Sequence, residues 1–393
     1  MKLKLNLPKI KPFLLKHKWL ITFFLIVITI SYPFLLLFLN WLTGKSIGEL
    51  YTFELPLKDF LTPWIAFWVA IGAAFNVWLM QRRVSVMEKQ QRDTRFSSGV
   101  ELLGNPNESA RIGGAYNLYF LASEFPDDYL NPVCEILCAH VRTITSDKAY
   151  QEKYSAKPSN EIQTILDFLF KKNKKSIFEN CFKNLSNSFL SCTSFFECSL
   201  TDVAFSQSTL TNFYFNTATL TDVNFYGATL TDVDFYGATL TNVNFTSSTL
   251  TDVDFRTSSL TYINFYDAKL TKANFDFSKL TKANFTSATL TKVTFSLATL
   301  TEVDFDSAKL TRVYFNISKL TNVNFTSSKL TDVDFNSATL TDVKFFGAKL
   351  YDVNFYGATL TDVDFRHTVF ENYSYEEVSQ KWCSITLPYY QKE

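Results

Sequence analysis

The chain has 393 residues, 38 basic against 38 acidic, and only 19% charged residues. Forty Phe, 11 Gly and 10 Pro exclude a disordered tail protein, a collagen-like chain and a basic nucleic-acid binder. Six Cys do not make a disulfide scaffold, and three His leave little material for metal sites or acid–base catalysis.

The N-terminus reads as a transmembrane helical hairpin over residues 19–80, behind a basic tail, residues 1–18. Trp19 to Leu39 is an uncharged run of 21 residues. As a helix it spans about 31 Å, enough to cross the hydrocarbon core. Pro33 is expected to kink it. Phe60 to Met80 is a second uncharged run of the same length. Trp19, Trp41, Trp64 and Trp78 sit near the run ends, as interfacial anchors do. Ala66, Ala70 and Ala74 give the second helix a small-residue face, read as closing the hairpin. Six Lys precede the first run and Arg82 and Arg83 follow the second. The positive-inside rule then places both termini on the cytoplasmic side of the inner (plasma) membrane. The apolar run is too long for a cleaved signal peptide, and no small-residue cleavage site follows it.

A cytoplasmic helical connector is expected over residues 81–176. Gln81 to about Gly104 continues as a polar stalk. Asn105-Pro106-Asn107-Glu108 reads as an N-cap, Pro at N1 and Glu at N3. The helix it opens carries Ile112, Tyr116, Tyr119 and Phe120 on one side. Asp127 to Thr143 and Glu161 to Lys171 read as further helices. Gly113 and Gly114 suit close helix packing. Cys134, Cys138 and His140 are a weak metal signal and read better as core thiols. Lys171, Lys172, Lys174 and Lys175 mark a basic linker, a solvated run with anionic lipid contact as the alternative.

From Leu200 a ten-residue repeat takes over. Leu recurs every tenth residue from 200 to 360 and Phe every tenth from 205 to 365, without a miss. The unit splits into two fives, such as Val223-Asn224-Phe225-Tyr226-Gly227 and Ala228-Thr229-Leu230-Thr231-Asp232. A period of five drifts around an α-helix and flips faces along a flat strand. A short extended piece plus a turn in every five fits. The central Phe or Leu and the residue two before it then point inward. No Pro occurs between Pro158 and Pro388, which suits a continuous backbone ladder.

Over residues 200–370 the chain resembles the pentapeptide repeat family, whose unit is small-(Asp/Asn)-(Leu/Phe)-x-x. Val233-Asp234-Phe235 matches that unit, and the Leu units depart from it with Thr or Lys in place of Asp/Asn. A weaker version of the pattern starts near Leu185. The resemblance implies an all-β repeat domain, residues 177–370: a right-handed quadrilateral β-helix with four fives per coil. The 34 fives from 200 to 365 make about 8.5 coils and a rod roughly 40 Å long. Residues 92–143 also look like the helical block between membrane spans and repeats in some bacterial members. The rod ends need covers. Tyr375, Val378 and Trp382 suit a C-terminal cap, residues 371–393; Phe178, Phe182 and the connector suit the other end.

Residues 20 apart stack, so sequence charges become stripes. One Leu side carries Lys269, Lys272, Lys292, Lys309 and Arg312, a possible partner-binding face, with Lys329 beyond them. Asp232 and Asp252 lie at one end of that side, Asp332 and Asp352 at the other. Tyr226, Tyr266 and Phe346 point outward from one Phe side.

No Ser–His–Asp set, phosphate loop or carboxylate pair outside the repeat lattice appears. The expectation is a non-enzymatic, membrane-anchored scaffold for protein–protein interaction, with no catalytic, cofactor or metal residues. Its partners are the lipid bilayer and an unidentified protein, with a homo-oligomer possible and direct nucleic-acid binding not expected. The alternative is a DNA-mimicking regulator of a type II topoisomerase, since some family members resemble duplex DNA in shape and charge. That mechanism needs a strongly acidic rod, whereas residues 200–370 hold 17 acids and 13 bases with a basic band in the middle.

Overall fold

The computed structural model describes Asn40, Gly44 and residues 57–170 and 176–371. The chain divides into two units, Met1–Lys89 and Gln90–Glu393. The basic N-terminus, the expected first span Trp19–Leu39, the Lys171–Lys175 linker and the cap residues Tyr375, Val378 and Trp382 all lie outside the described residues.

In the first unit the described structure is the N-terminal part of helix α1, Leu57–Leu103. Its apolar side chains, among them Ile65, Phe67, Val69, Val77 and Met80, are exposed. Trp78 lies under the Arg82 guanidinium at 5.5 Å, where the uncharged run gives way to charge. Among the described residues one helix is long and apolar enough to cross a membrane, by length and composition. The expected polar stalk is the continuation of this helix, with no break between run and stalk.

In the second unit four helices follow the end of α1. They are α2 (Glu108–Glu124), α3 (Pro126–Thr145), α4 (Lys148–Lys153) and α5 (Asn160–Leu169). The cap of α2 is Asn107, not Asn105: its side chain accepts from the Ser109 N–H at 2.9 Å. Asn105 instead accepts from the Asn107 N–H at 2.9 Å and turns the chain into the cap. Gly114 meets α1 so closely that an added Cβ would lie 2.8 Å from the Gly99 carbonyl oxygen and 2.9 Å from Leu103 N. Gly113 has open space, so only one of the pair serves the helix crossing. Leu118, Val133, Leu137, Ile162 and Leu166 fill the core of the block.

From Lys183 the chain winds into a β-solenoid of about nine coils. The sequence expectation of four fives per coil is met, since every strand pairs in parallel with the residue 20 positions on, Leu270 with Leu290 and Leu280 with Leu300. Each coil has four sides. The first Leu side (Leu210, Leu230, Leu250 and onward) is a ten-stranded sheet, and the second (Leu200, Leu220, Leu240 and onward) a nine-stranded one. The first Phe side (Phe215, Phe235 and onward) and the second (Phe205, Phe225 and onward) pair mostly through single bridges such as Asp234↔Asp254 and Asn224↔Asn244. Around a coil the order is first Leu, first Phe, second Leu, second Phe.

The difference between Leu and Phe sides explains the departure of the Leu units from the family pattern. In a Phe unit the Asn or Asp before the Phe caps the turn behind it: Asn224 Oδ1 accepts from Tyr226 N at 2.9 Å and Asp234 Oδ1 from Tyr236 N at 2.8 Å. The Ala228 N–H closes the same turn on the Phe225 carbonyl at 3.0 Å, with positive φ at the third residue, Gly227. That is the pattern of a type II turn. The Leu units spend their outer positions on strand pairing instead, which suits Thr. Where Ser replaces Ala after the turn it is buried, yet its hydroxyl donates to the Phe carbonyl, as Ser258 Oγ does to Phe255 O at 2.5 Å. No orphaned hydroxyl results.

Inside, the two Phe ladders fill the rod. Phe235 stacks on Phe255 at 4.9 Å with rings 1° from parallel. It meets Phe245 of the other ladder edge-to-face at 6.2 Å and 89°. Each interior ring therefore makes both favoured aromatic geometries.

The N-terminal end of the rod is covered by the helical block. Phe170 packs on Phe195 at 4.5 Å, Thr145 Oγ1 accepts from Phe189 N at 3.2 Å, and Arg142 Nη1 donates to the Asn184 carbonyl at 2.6 Å. Phe178 is buried there as expected, but Phe182 is 63% exposed and covers nothing. The inward position of that unit belongs to Lys183, whose ammonium donates to the Cys181 carbonyl at 2.9 Å and the Glu179 carbonyl at 3.2 Å.

Phe285 sits between Phe265 at 4.6 Å and Phe305 at 4.8 Å. Phe285→Ala is expected to cost about 3–5 kcal/mol, read by chemical denaturation of the full chain followed through β-sheet circular dichroism. A loss under about 1 kcal/mol would contradict a close-packed aromatic interior.

Candidate partner-binding face

The five basic residues singled out above come together on the first Leu side. Strand register aligns Lys269, Thr289 and Lys309 along one edge. Lys272, Lys292 and Arg312 lie along the other edge, at the corner leading into the first Phe side. The buried line Leu270, Leu290, Leu310 runs between. Successive coils stand about 4.8 Å apart, so the three-cation column extends about 10 Å. Lys329 and Lys349 continue the Lys269 edge, and Lys329 rests on the Tyr351 ring at 4.9 Å.

Backbone geometry makes this column unusual. Between residues 187 and 367 every fifth residue has positive φ, 33 non-glycine residues and four glycines. Asn and Asp tolerate this left-handed conformation better than other non-glycine residues. The same corner in flanking coils uses them: Asn212, Asp232 and Asp252 before, Asp332 and Asp352 after. Only Lys272 (φ 55°), Lys292 (φ 57°) and Arg312 (φ 55°) interrupt that run.

The flanking acids pair with the ends of the column. Lys272 Nζ lies 3.3 Å from Asp252 and Arg312 Nε 3.5 Å from Asp332. All four side chains are well exposed, so these pairs contribute little to stability. Lys292 makes no ion pair among the described residues and has a cation on the coil above and below. The positive potential is therefore centred on Lys292 and screened towards both ends. The opposing Leu side carries Lys279 and Lys319 on its strands, residues the sequence reading did not select. Tyr226 and Tyr266 project from the second Phe side, and Phe346 packs against His367 at 5.0 Å.

The helical block holds the other concentrations of chemistry. Cys134 and Cys138 are buried and face the start of the rod, where Cys134 Sγ lies 3.9 Å from the Phe182 carbonyl. His140 turns away from them to Glu161, so the three residues of the weak metal signal do not converge. Among the described residues no group of three or more His, Cys, Asp or Glu is placed to hold a metal ion. The Cys134 thiol is pushed well above its ordinary range by its contact with Cys138 and by burial, and burial pushes Cys181 up to about 11. Both are protonated and poor nucleophiles at neutral pH.

Glu161 is the buried charge that sequence reasoning missed, 1% exposed in the first turn of α5. Arg111 Nε donates to its Oε1 at 2.8 Å, Arg111 Nη2 stands 2.7 Å from Oε2, and His140 Nε2 contacts Oε1. The partners lie 50 and 21 residues away, so no local signal announces them. Arg111 also donates to the Asn105 and Pro106 carbonyls at 3.0 and 2.9 Å. The cluster ties α2, α3 and α5 together. Glu161 Oε2 has the Arg111 ion pair but no hydrogen bond.

Two family models match the repeat region. The pentapeptide repeat region matches residues 208–285 and 248–325, and the eight-copy pentapeptide repeats match 318–355 and 340–372. No curated protein matches the chain in sequence. Solved structures similar to it include HetL, a pentapeptide repeat protein involved in heterocyst differentiation regulation in the cyanobacterium Nostoc sp. It is 22% identical with a TM-score of 0.37, and the match covers 47% of this chain and 86% of HetL. QnrB1, a plasmid-mediated fluoroquinolone resistance protein, is 11% identical with a TM-score of 0.27, covering 50% of this chain and all of QnrB1. A pentapeptide repeat protein of the Arabidopsis thaliana thylakoid lumen is 24% identical with a TM-score of 0.13, covering 38% and 90%.

Burial pushes the Glu161 carboxyl up, but its bonds to His140 and Arg111 outweigh that and hold it below its usual range. A lowered folded-state pKa contributes stability above the ordinary Glu value, about 4.3, that is lost as pH falls through the lowered value. Thermal melts of the full chain are expected to show the helical block losing stability below about pH 4.3. Glu161→Gln is expected to cost about 3 kcal/mol at pH 7 and to flatten that acid limb.

Proposed function

Residues 208–372 are a pentapeptide-repeat region, and we propose that this chain is a non-enzymatic scaffold that presents that rod to a protein partner at a membrane. The hairpin, residues 19–80, anchors it in the plasma membrane with both termini in the cytoplasm. The length and exposed apolar surface of α1 support the anchor. So does the switch to Arg82 and Arg83 at the end of the uncharged run.

One observation carries the binding role. Three consecutive coils place Lys272, Lys292 and Arg312 at a left-handed corner where the coils on either side place Asn or Asp. A long basic side chain gains nothing there for the rod's own stability, and backbone strain of this kind concentrates at sites under functional constraint. Together with Lys269 and Lys309 the column offers a flat, rigid, positively charged face. The partner it fits is a protein surface rich in carboxylates. Rigidity adds to affinity, because the face loses little entropy on docking.

The full-length protein, crosslinked in its native cells and purified from detergent-solubilised membranes, is expected to carry a specific partner identifiable by mass spectrometry. A variant with Lys269, Lys272, Lys292, Lys309 and Arg312 changed to Glu is expected to lose it. Retention of the partner by that variant would remove the basic face from the interaction. Recovery of topoisomerase subunits would favour the DNA-mimic mechanism instead. Extraction at alkaline pH is expected to leave the protein in the membrane pellet.

A further inference from the structure

One corner on from the cationic column, across the first Phe side, lies a second irregular column. The corner between the first Phe side and the second Leu side carries Glu197, Thr217, Gly237 and Thr257 in the early coils and Ser337 and Gly357 in the late ones. Between them stand Phe277, Leu297 and Ile317, one per coil, with φ of 59°, 59° and 58°. They are 58%, 44% and 58% exposed. Bulky and β-branched residues are genuine outliers in this conformation. About half of each residue's surface stays in water, so packing offsets the strain only in part. Their equal spacing makes one continuous apolar ridge along a convex edge.

The ridge is bordered by cations. Lys279 follows Phe277 and Lys319 follows Ile317 on the second Leu side, each with one buried Ser between, and Lys282 stands one corner further on. Glu302 lies 3.9 Å from Lys282 and is the acid of that side in these coils. Asp276, beside Phe277, already accepts from Thr294 Oγ1 at 2.6 Å and Ser296 N at 2.8 Å. Tyr314 lies half exposed on the adjoining first Phe side.

We propose that the Phe277–Leu297–Ile317 ridge docks on the surface of an anionic lipid bilayer, its apolar side chains entering the headgroup boundary while Lys279, Lys282 and Lys319 contact lipid phosphates. Three features select this occupant. A protruding edge needs a matching groove on a protein, whereas lipid yields to a convex shape. Lysine stems let the ammonium stay at headgroup level while the neighbouring side chain goes deeper. Lys supplies compact point charges that pair with lipid phosphate at the membrane surface. A second copy of the chain is disfavoured, because it would bring the same lysines face to face. The proposal rests on the membrane reading above for the presence of a bilayer. The Lys269–Lys309 edge of the first Leu side, at the diagonally opposite corner, stays free for a protein partner, while the Lys272, Lys292 and Arg312 column stands one corner from the ridge.

The test uses the full-length protein in vesicles, with Cys192 and Cys383 changed to Ser and a solvatochromic bimane on Leu297→Cys. A control label on Ser287→Cys sits at the diagonally opposite corner. Vesicles with one-third phosphatidylglycerol are expected to give a blue shift at residue 297, absent in pure phosphatidylcholine and absent at residue 287. High salt and the Lys279→Glu/Lys319→Glu pair are expected to remove it. Emission at 297 identical in both vesicle types would overturn the proposal. A shift that follows protein density in neutral vesicles would assign the ridge to self-association and overturn it as well. A shift that appears only in native membranes and vanishes after removal of peripheral proteins would assign it to a protein. Alkaline extraction of the same vesicles reads anchoring separately. If the chain washes off, the anchor fails, and the shift on protein added to preformed anionic vesicles decides the ridge in the same way. Phe277→Asn/Leu297→Asn/Ile317→Asn is expected to leave the melting temperature unchanged or raised, since Asn suits the corner; a lowered value would make the ridge a structural element.

Discussion

Every feature of the rod depends on the backbone turning a left-handed corner at each fifth residue. Four such corners close a coil of 20 residues, and the uninterrupted count from residue 187 to 367 keeps the coils in register. Register in turn allows each Phe to lie on the Phe of the next coil, and the strand and corner amides to reach carbonyls one coil away. A single inserted residue would turn inward-facing positions outward for the rest of the chain. The corners are individually costly for non-glycine residues. Aromatic stacking, strand pairing and Asx-capped turns, repeated in every coil, offset that cost.

This economy separates positions that serve the fold from positions that do not. Inward positions accept Phe, Leu, Val, Ile, Ala and Ser with its hydroxyl tied back to a turn carbonyl. Corner positions accept Gly, Asn, Asp and small polar residues cheaply. A corner filled with Lys, Arg, Phe, Leu or Ile therefore departs from what the fold asks. Such departures cluster over the same middle coils, in a cationic column, an apolar column and the single Lys282 one corner beyond the apolar one. The rod is uniform in backbone and specialised in surface. Its middle coils carry the specialised residues, and its outer coils carry the acids that pair with the ends of the cationic column.

The N-terminal end shows how an open solenoid is closed. Helices α3 and α5 lay Phe170 and Thr145 against the first coils, and Lys183 fills an inward place that Val, Ile or Ala takes further on. Its ammonium satisfies the Glu179 and Cys181 carbonyls, and burial lowers its pKa. The Arg111–Glu161–His140 cluster stiffens the block that makes this cover. Charge in this part of the chain is thus spent on tying elements together.

The five-residue period and the inward Phe and Leu are legible in the residues; the 20-residue stacking, and hence the gathering of Lys269, Lys272, Lys292, Lys309 and Arg312 on one side, is what the resemblance to pentapeptide repeats implies. The period excludes a helix and a flat strand, and once the resemblance sets the coil at 20 residues, counting places every side chain. Whatever depends on dihedral angles and on contacts between distant segments shows only in the folded chain. The left-handed corners are invisible in a pattern whose corner residues include Lys, Ile and Phe. The apolar ridge escapes notice because Phe277, Leu297 and Ile317 occupy a place that is polar or Gly in the other coils of that column. Phe182 looked like a cap and is exposed, because the register of the first coil turns Lys183 inward instead. Glu161 meets Arg111 and His140 only because three helices fold together, and no repeat carries that information.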